Sequence, residues 1–288
     1  MKIAVSGATG FVGKHLADSF KSKGFEIVQL DRSDFESGSE NLQKKIEGAQ
    51  VVINLAGAPI IGRWTGPYKK ILYSSRINTT DMLVNAMSGL DKKPELFIST
   101  SAVGVYEKGG PHTEKKYSYS NEFLGRLALD WEKAALKAQN AGIRTVIFRF
   151  GVVLGKDGGA LAQMLHPFKF GLGGKIGSGE QPFPWVHIKD LVSAYWFVIE
   201  NQKTEGVYNL TAPENITNKI FTETLAGVLM RPAFFTVPEF ILRLKYGDGA
   251  KVLIEGQDVR PERLLEAGFQ FRFKTISYAL TDLLEKQR

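Results

Sequence analysis

The residues with the clearest chemical purpose lie near the start of the chain, in Ser6-Gly7-Ala8-Thr9-Gly10-Phe11-Val12-Gly13. A short apolar run, Ile3-Ala4-Val5, precedes them, and Val12, Leu16 and Phe20 follow at helical spacing. A glycine-rich turn between a strand and a helix is the setting in which backbone can hold the pyrophosphate of a dinucleotide. Gly7 permits the tight turn, Gly10 lets the backbone approach a phosphate, and Gly13 lets the helix pack close to the sheet. The helix N-terminus adds free N–H groups and the positive end of a dipole. Thr9, Phe11 and Val12 complete this candidate cofactor-binding turn. The next strand ends in Leu30-Asp31-Arg32-Ser33. Asp31 could accept from a ribose 2′-hydroxyl, which suits NAD, whereas Arg32 could pair with the 2′-phosphate of NADP. An acid beside a phosphate is repulsive, so the two side chains give opposing signals.

Proton carriers are less well marked. Ser101 ends a strand and could polarise a carbonyl by hydrogen bonding. Tyr106 follows the same strand and could swing over a bound nicotinamide ring. His187 titrates near neutrality and lies close to a predicted substrate loop. Each also has an ordinary structural role open to it: Tyr106 as a half-buried ring, His187 as a satisfied histidine. Tyr117 and Tyr119 precede a long helical pattern. The four histidines, His15, His112, His166 and His187, show no metal-ligand spacing, so no metal is expected.

These residues need a framework, and the first half of the chain supplies one by alternation. Strand patterns at Glu26–Leu30, Val51–Leu55, Leu96–Ser99 and Arg144–Phe150 are separated by helical patterns, notably Thr79–Met87 and Glu122–Gln139. Phe123, Leu127, Trp131 and Ala135 fall on one side of the last of these. Such alternation predicts right-handed crossovers and an α/β fold: a doubly wound parallel sheet with helices on both faces. The glycines of Gly151–Gly179 read as a mobile loop around a site, in preference to a phosphate cradle. Trp185–Ile188 and Val207–Leu210 read as further strands, with Asp190 placed to cap the helix after the first. From about residue 213 the pattern is mainly helical.

Composition narrows the class. The chain has 288 residues, 43% of them apolar, which is enough to build a core rather than remain disordered. It has no cysteine, which excludes disulfides, thiolate metal sites and a Cys nucleophile, and fits a reducing cytoplasm. The net charge of +7 comes from scattered pairs such as Lys44-Lys45 and Lys115-Lys116. Solvated faces explain those pairs better than a nucleic-acid stripe. No apolar stretch reaches the roughly 18 residues of a membrane helix. A small-molecule substrate, with neither nucleic acid nor membrane as partner, is the expectation.

The Gly-x-x-Gly-x-x-Gly spacing resembles the extended branch of the short-chain dehydrogenase/reductase superfamily. Further segments narrow the likeness to an atypical subgroup whose members are labelled "epimerase family protein" or, loosely, cell-division inhibitors. They include Asn54-Leu55-Ala56-Gly57, Arg63-Trp64-Thr65, Ser75-Arg76, Gly151-Val152-Val153-Leu154-Gly155, Gly171-Leu172-Gly173-Gly174 and Asn209-Leu210-Thr211-Ala212-Pro213. The resemblance implies a Rossmann domain over 1–155 with 185–212, and a smaller, mainly helical substrate-side lobe over 156–184 with 213–288. It implies that Leu55, Ala56 and Arg76 face the cofactor and that Val152 meets the nicotinamide through its backbone. It associates Arg-Ser after the second strand with NADP, so NADP(H) is favoured while NAD(H) stays open. Homodimers are common in that branch and remain an option here.

The branch ordinarily uses a Tyr and a Lys one helical turn apart, followed by an acidic residue one turn later. Glu132 resembles that acid, yet counting back by fours gives Ala128 and Leu124, and the adjacent register gives Leu127 and Phe123. The usual proton carrier is therefore missing. Two functions follow: an NADP-dependent oxidoreductase or epimerase-like protein acting on an unknown small molecule, or a non-catalytic NADP(H)-binding redox sensor.

Overall fold

A computed structural model describes residues 1–284. In the first half, β1 (Lys2–Ser6), α1 (Phe11–Ser22), β2 (Glu26–Leu30), α2 (Arg32–Glu36), α3 (Ser39–Ile46) and β3 (Val51–Asn54) lead into α4 (Gly66–Tyr73) and α5 (Thr79–Ser88). Then come β4 (Leu96–Ala102), β5 (Gly109–His112), α6 (Phe123–Leu136) and β6 (Arg144–Phe150). The remainder runs β7 (Val152–Leu154), α7 (Gly159–Lys169), β8 (Gly174–Ile176), β9 (Trp185–His187), α8 (Ile188–Glu200), β10 (Gly206–Leu210) and α9 (Asn218–Leu229). It closes with β11 (Phe235–Val237), α10 (Glu239–Tyr246), α11 (Lys251–Ile254), β12 (Gln257–Val259), α12 (Glu262–Glu266) and α13 (Ile276–Leu284).

Six strands form one parallel sheet in the order β10-β6-β4-β3-β1-β2. The chain steps from β1 to β2 on one side and then crosses to β3 on the other. That reversal opens a crevice at the carboxyl ends of β1 and β3, where such sheets bind ligands. Ser6 pairs with Leu30 and with Asn54, so the turns after all three strands meet there. Helix α1 is held by one buried face, Gly13, Leu16, Ala17 and Phe20, packed on the sheet. Burying Leu16 and Phe20 contributes roughly 1.5–3 kcal/mol each.

Two expectations need correction. The glycine-rich stretch after β6 is ordered as β7, α7 and β8 rather than as a loop. Its glycines make room for a ring: a Cβ on Gly155, Gly158 or Gly159 would collide with Phe11. Asp190 does not cap its own helix. His187 is the N-cap of α8, its Nδ1 accepting the Lys189 N–H at 3.0 Å. The Asp190 carboxylate instead accepts the Arg272 and Phe273 N–H groups, both at 2.9 Å, and so ties the C-terminal segment to α8. Phe269, Phe271, Phe273, Ile276 and Leu280 accordingly join the core that contains Trp185, Ile188 and Phe148. Among the described residues no helix is long and apolar enough to cross a membrane, and no group of three or more His, Asp or Glu could hold a metal ion.

Candidate functional site

A cleft of about 1220 Å³ opens along the carboxyl ends of the strands. One end is the glycine turn. Gly7 sits at φ +72°, in the left-handed region, and a Cβ there would meet the Leu55 carbonyl carbon and oxygen at 3.0 Å. A Cβ on Gly13 would collide with the Gly7 carbonyl oxygen, so the helix can approach the turn only with glycine at that position. A Cβ on Gly10 would meet only Gly7 O, at 3.2 Å, which leaves that backbone open to the cleft. Gly10 is the N-cap of helix α1, which has no side-chain cap and no acidic residue in its first turn. Its first N–H groups and the positive end of its dipole are therefore available to an anion. The residues present fit a dinucleotide pyrophosphate.

The turn after β3 is fixed by buried Asn54. Its Oδ1 accepts from the Ser6 hydroxyl at 2.7 Å and from the Ala56 N–H at 3.3 Å, and its Nδ2 donates to Thr80 Oγ1 at 2.7 Å. Arg76 enters the cleft beside this turn from a short π-helical stretch, Ser74–Asn78. Its Nη2 donates to Ala58 O at 2.9 Å and its guanidinium lies 5.3 Å from the Trp131 ring centroid. Burial lowers its pKa to about 10. No carboxylate lies within ion-pair distance of it among the described residues, so the cation is open to an anionic group. Arg32 is exposed at the start of α2, two residues beyond Leu30 and thus beside the glycine turn. Asp31 stands at the N-cap of that helix, its N–H bound by the Asp34 carboxylate at 2.7 Å.

The candidate proton carriers are treated differently by the fold. Ser101 lines the cleft, and its hydroxyl donates to Glu132 Oε1 at 2.6 Å. Arg149 grips the same carboxylate with two bonds of 2.7 Å, from Nε to Oε1 and from Nη2 to Oε2. Its Nη1 donates to the Tyr106 hydroxyl at 2.6 Å and its Nη2 to the Tyr119 hydroxyl at 3.0 Å. Tyr106 is fully buried rather than half-buried. Its hydroxyl accepts from Arg149 and donates to Asn209 Oδ1 at 2.8 Å, so it is not free to swing over the cleft. Burial also pushes its pKa up to about 12. His187 is not brought to the cleft. It is buried against Phe273, ring centroids 3.7 Å apart, and burial lowers its pKa to about 4. Val152 lines the cleft, though its N–H already donates to Pro184 O at 2.7 Å.

Sequence reasoning missed Arg149, the hub of this network. Its signal is a lone cation in the otherwise apolar strand Val146-Ile147-Phe148-Arg149-Phe150, since a charge inside a central strand must be paired. Desolvation alone would lower its pKa, but the Glu132 bonds and charge outweigh it and raise the value.

The sheet order, the crevice at its reversal and the uncapped glycine turn define a Rossmann-type dinucleotide-binding protein. Comparison with known sequences agrees. Residues 3–211 match the NAD dependent epimerase/dehydratase family, and residues 237–283 match DUF1731, a domain of unknown function. The chain belongs to the NAD dependent epimerase/dehydratase family. It is 37% identical over 293 residues to epimerase family protein SH2119 of Staphylococcus haemolyticus, covering 98% of each chain. It is 36% identical over 304 residues to epimerase family protein YfhF of Bacillus subtilis, covering 100% of this chain and 99% of that one. Among solved structures it is similar to human epimerase family protein SDR39U1 crystallised with NADPH. The TM-score is 0.90 at 32% identity, over 98% of this chain and 99% of that one.

Proposed function

We propose that this chain is an NADP(H)-binding oxidoreductase or epimerase-like protein that acts on a small molecule without the family's usual Tyr–Lys pair. The observation that carries the reading is the uncapped α1 N-terminus behind Gly7, Gly10 and Gly13, open to the cleft at the reversal of the sheet. Gly7, Thr9, Gly10, Phe11, Val12 and Gly13 would hold the pyrophosphate, Leu55 and Ala56 the adjoining nucleotide, and Arg76 an anionic or carbonyl group near Trp131. Arg32 is the exposed cation next to the turn and would pair with a 2′-phosphate, which favours NADP(H) over NAD(H). The NADPH crystallised with human SDR39U1 supports the same choice.

When bound, the nicotinamide would supply a donor or acceptor of hydride. The chain's own contribution is position, shape and one hydroxyl. Counted back from Glu132, the family's Tyr and Lys positions fall on Leu124 and Ala128 or, in the adjacent register, on Phe123 and Leu127, and all four line the cleft. Ser101 carries a hydroxyl that lines this space. That hydroxyl donates to Glu132, and Arg149 would keep that carboxylate satisfied when the Ser101 hydroxyl turns to donate to a substrate oxygen. Residues 156–184 and 213–288 would form the substrate-side lobe over this point.

A panel of carbonyl compounds followed at 340 nm with NADPH tests the reading. Turnover should fall about 10²-fold in Ser101→Ala, the scale of losing one oxyanion donor, with NADPH affinity unchanged. If NADPH binds but no compound reacts, the second reading stands: a redox sensor. Committed hydroxyls at Tyr106 and Tyr119 favour it. It requires a partner whose affinity differs between the NADP and NADPH forms.

A further inference from the structure

The substrate half of the cleft is built for a different kind of molecule from the nucleotide side. Beside Ser101 its wall is hydrocarbon: Leu124 and Leu127 from α6, Phe123 packed edge-on against Trp64 with ring centroids 5.4 Å apart, and Ile60 below them. Met164 and Phe183 also line the cleft. Two of the lysines that line this half are already paired with carboxylates of the cleft. Lys69 Nζ lies 2.9 Å from Asp248 Oδ2, and Lys251 Nζ lies 2.6 Å from Glu122 Oε2. The one buried cation behind the wall, Arg149, is spent on Glu132. Lys108 and Arg126 remain, both on the exposed rim.

A diphosphate taken out of water needs cations or several donors to replace its hydration, and bidentate arginines are the usual means. Among the described residues, Arg76 lies at the nucleotide end, against Gly57, and the wall beside Ser101 offers no unpaired cation short of the rim. An uncharged molecule with a flat or branched hydrocarbon body loses little on desolvation there and gains by contact with Trp64, Phe123 and Leu124. Its oxygen would sit toward Ser101, a hydroxyl that lines the cleft beside these apolar side chains.

We infer that the substrate is an uncharged, largely apolar carbonyl compound or its alcohol, and not a nucleoside-diphosphate sugar. The inference rests on the reading that the other half of the cleft holds NADP(H), so cofactor binding is measured first in the same experiment. The purified chain is titrated calorimetrically with NADP+, and the loaded protein is then titrated separately with 9,10-phenanthrenequinone and with UDP-glucose. The expected result is binding of the quinone at least tenfold tighter than UDP-glucose. Leu124→Lys, a half-buried position that tolerates a long side chain, should weaken the quinone at least tenfold and leave NADP+ unchanged. The double variant Glu122→Gln/Asp248→Asn frees Lys251 and Lys69 and should raise UDP-glucose affinity without affecting the quinone. Absence of NADP+ binding would refute the cofactor reading. NADP+ binding followed by UDP-glucose affinity equal to or above that of the quinone, or by no quinone binding, would overturn this inference alone.

Discussion

Replacing Arg149 with Met tests whether the buried network is held by charge pairing. Arg149 is 2% exposed and Glu132 5% exposed. The substitution removes two bonds to Glu132 and one each to Tyr106 and Tyr119. It leaves a carboxylate out of water with only the Ser101 hydroxyl to satisfy it. Breaking a buried pair from one side costs about 3–5 kcal/mol, because the surviving charge is uncompensated. That is a large fraction of the roughly 5–15 kcal/mol that holds a domain folded. Removing both charges in Glu132→Leu/Arg149→Met leaves no stranded ion, so the double variant should be more stable than Arg149→Met alone. Urea unfolding of the wild type, Arg149→Met, Glu132→Leu and the double variant, followed by far-UV circular dichroism, gives the four stabilities, and the cycle gives the coupling, expected at about 2 kcal/mol or more. A single variant costing under about 1 kcal/mol, or a double variant costing the full sum, would refute the argument.

Other consequences are direct. His187 has its pKa lowered to about 4 from 6.5, so unfolded chains bind more protons than folded ones between those values. Stability should be fully present above about pH 6.5 and fall as pH drops toward 4, by up to about 3 kcal/mol. Asp282 opposes this shift while Lys189 and Arg272 reinforce it. Melting temperature against pH, compared with His187→Gln, measures it; an unchanged slope in the variant would remove His187 as the cause. Gly13→Ala drives a methyl into Gly7 O and should cost about 1–3 kcal/mol of stability and at least tenfold in NADPH affinity. Calorimetry showing wild-type affinity would contradict the close-approach argument.

What the sequence disclosed, and what it concealed, divides by the distance over which each residue's reason acts. The turn at Gly7 to Gly13 is legible because the strand, the turn and the helix that give it meaning are contiguous. The six sheet strands are legible for the same reason, and only their ends shift. The glycines at 155, 158 and 159 are misread because their reason is the Phe11 ring, nearly 150 residues earlier. Asp190 looks like a local cap because its partners, the backbone N–H groups at 272 and 273, lie more than 80 residues later. Tyr106 looks available until β4, β6 and β10 bring Arg149 and Asn209 to its hydroxyl. Ser101 and Glu132 each stand out in the sequence, but parallel pairing of β4 with β6 is what places Arg149 beside both.

The central claim is a cofactor site that reads the 2′-phosphate, and nicotinamide fluorescence tests it most directly. NADPH and NADH are titrated into the purified chain and into Arg32→Ala. The account predicts that the wild type prefers NADPH, and that the variant loses about 10- to 100-fold in NADPH affinity, the worth of a charge-assisted bond, with little change for NADH. Equal binding of the two by the wild type, tighter binding of NADH, or an Arg32→Ala variant that keeps its NADPH affinity would contradict it.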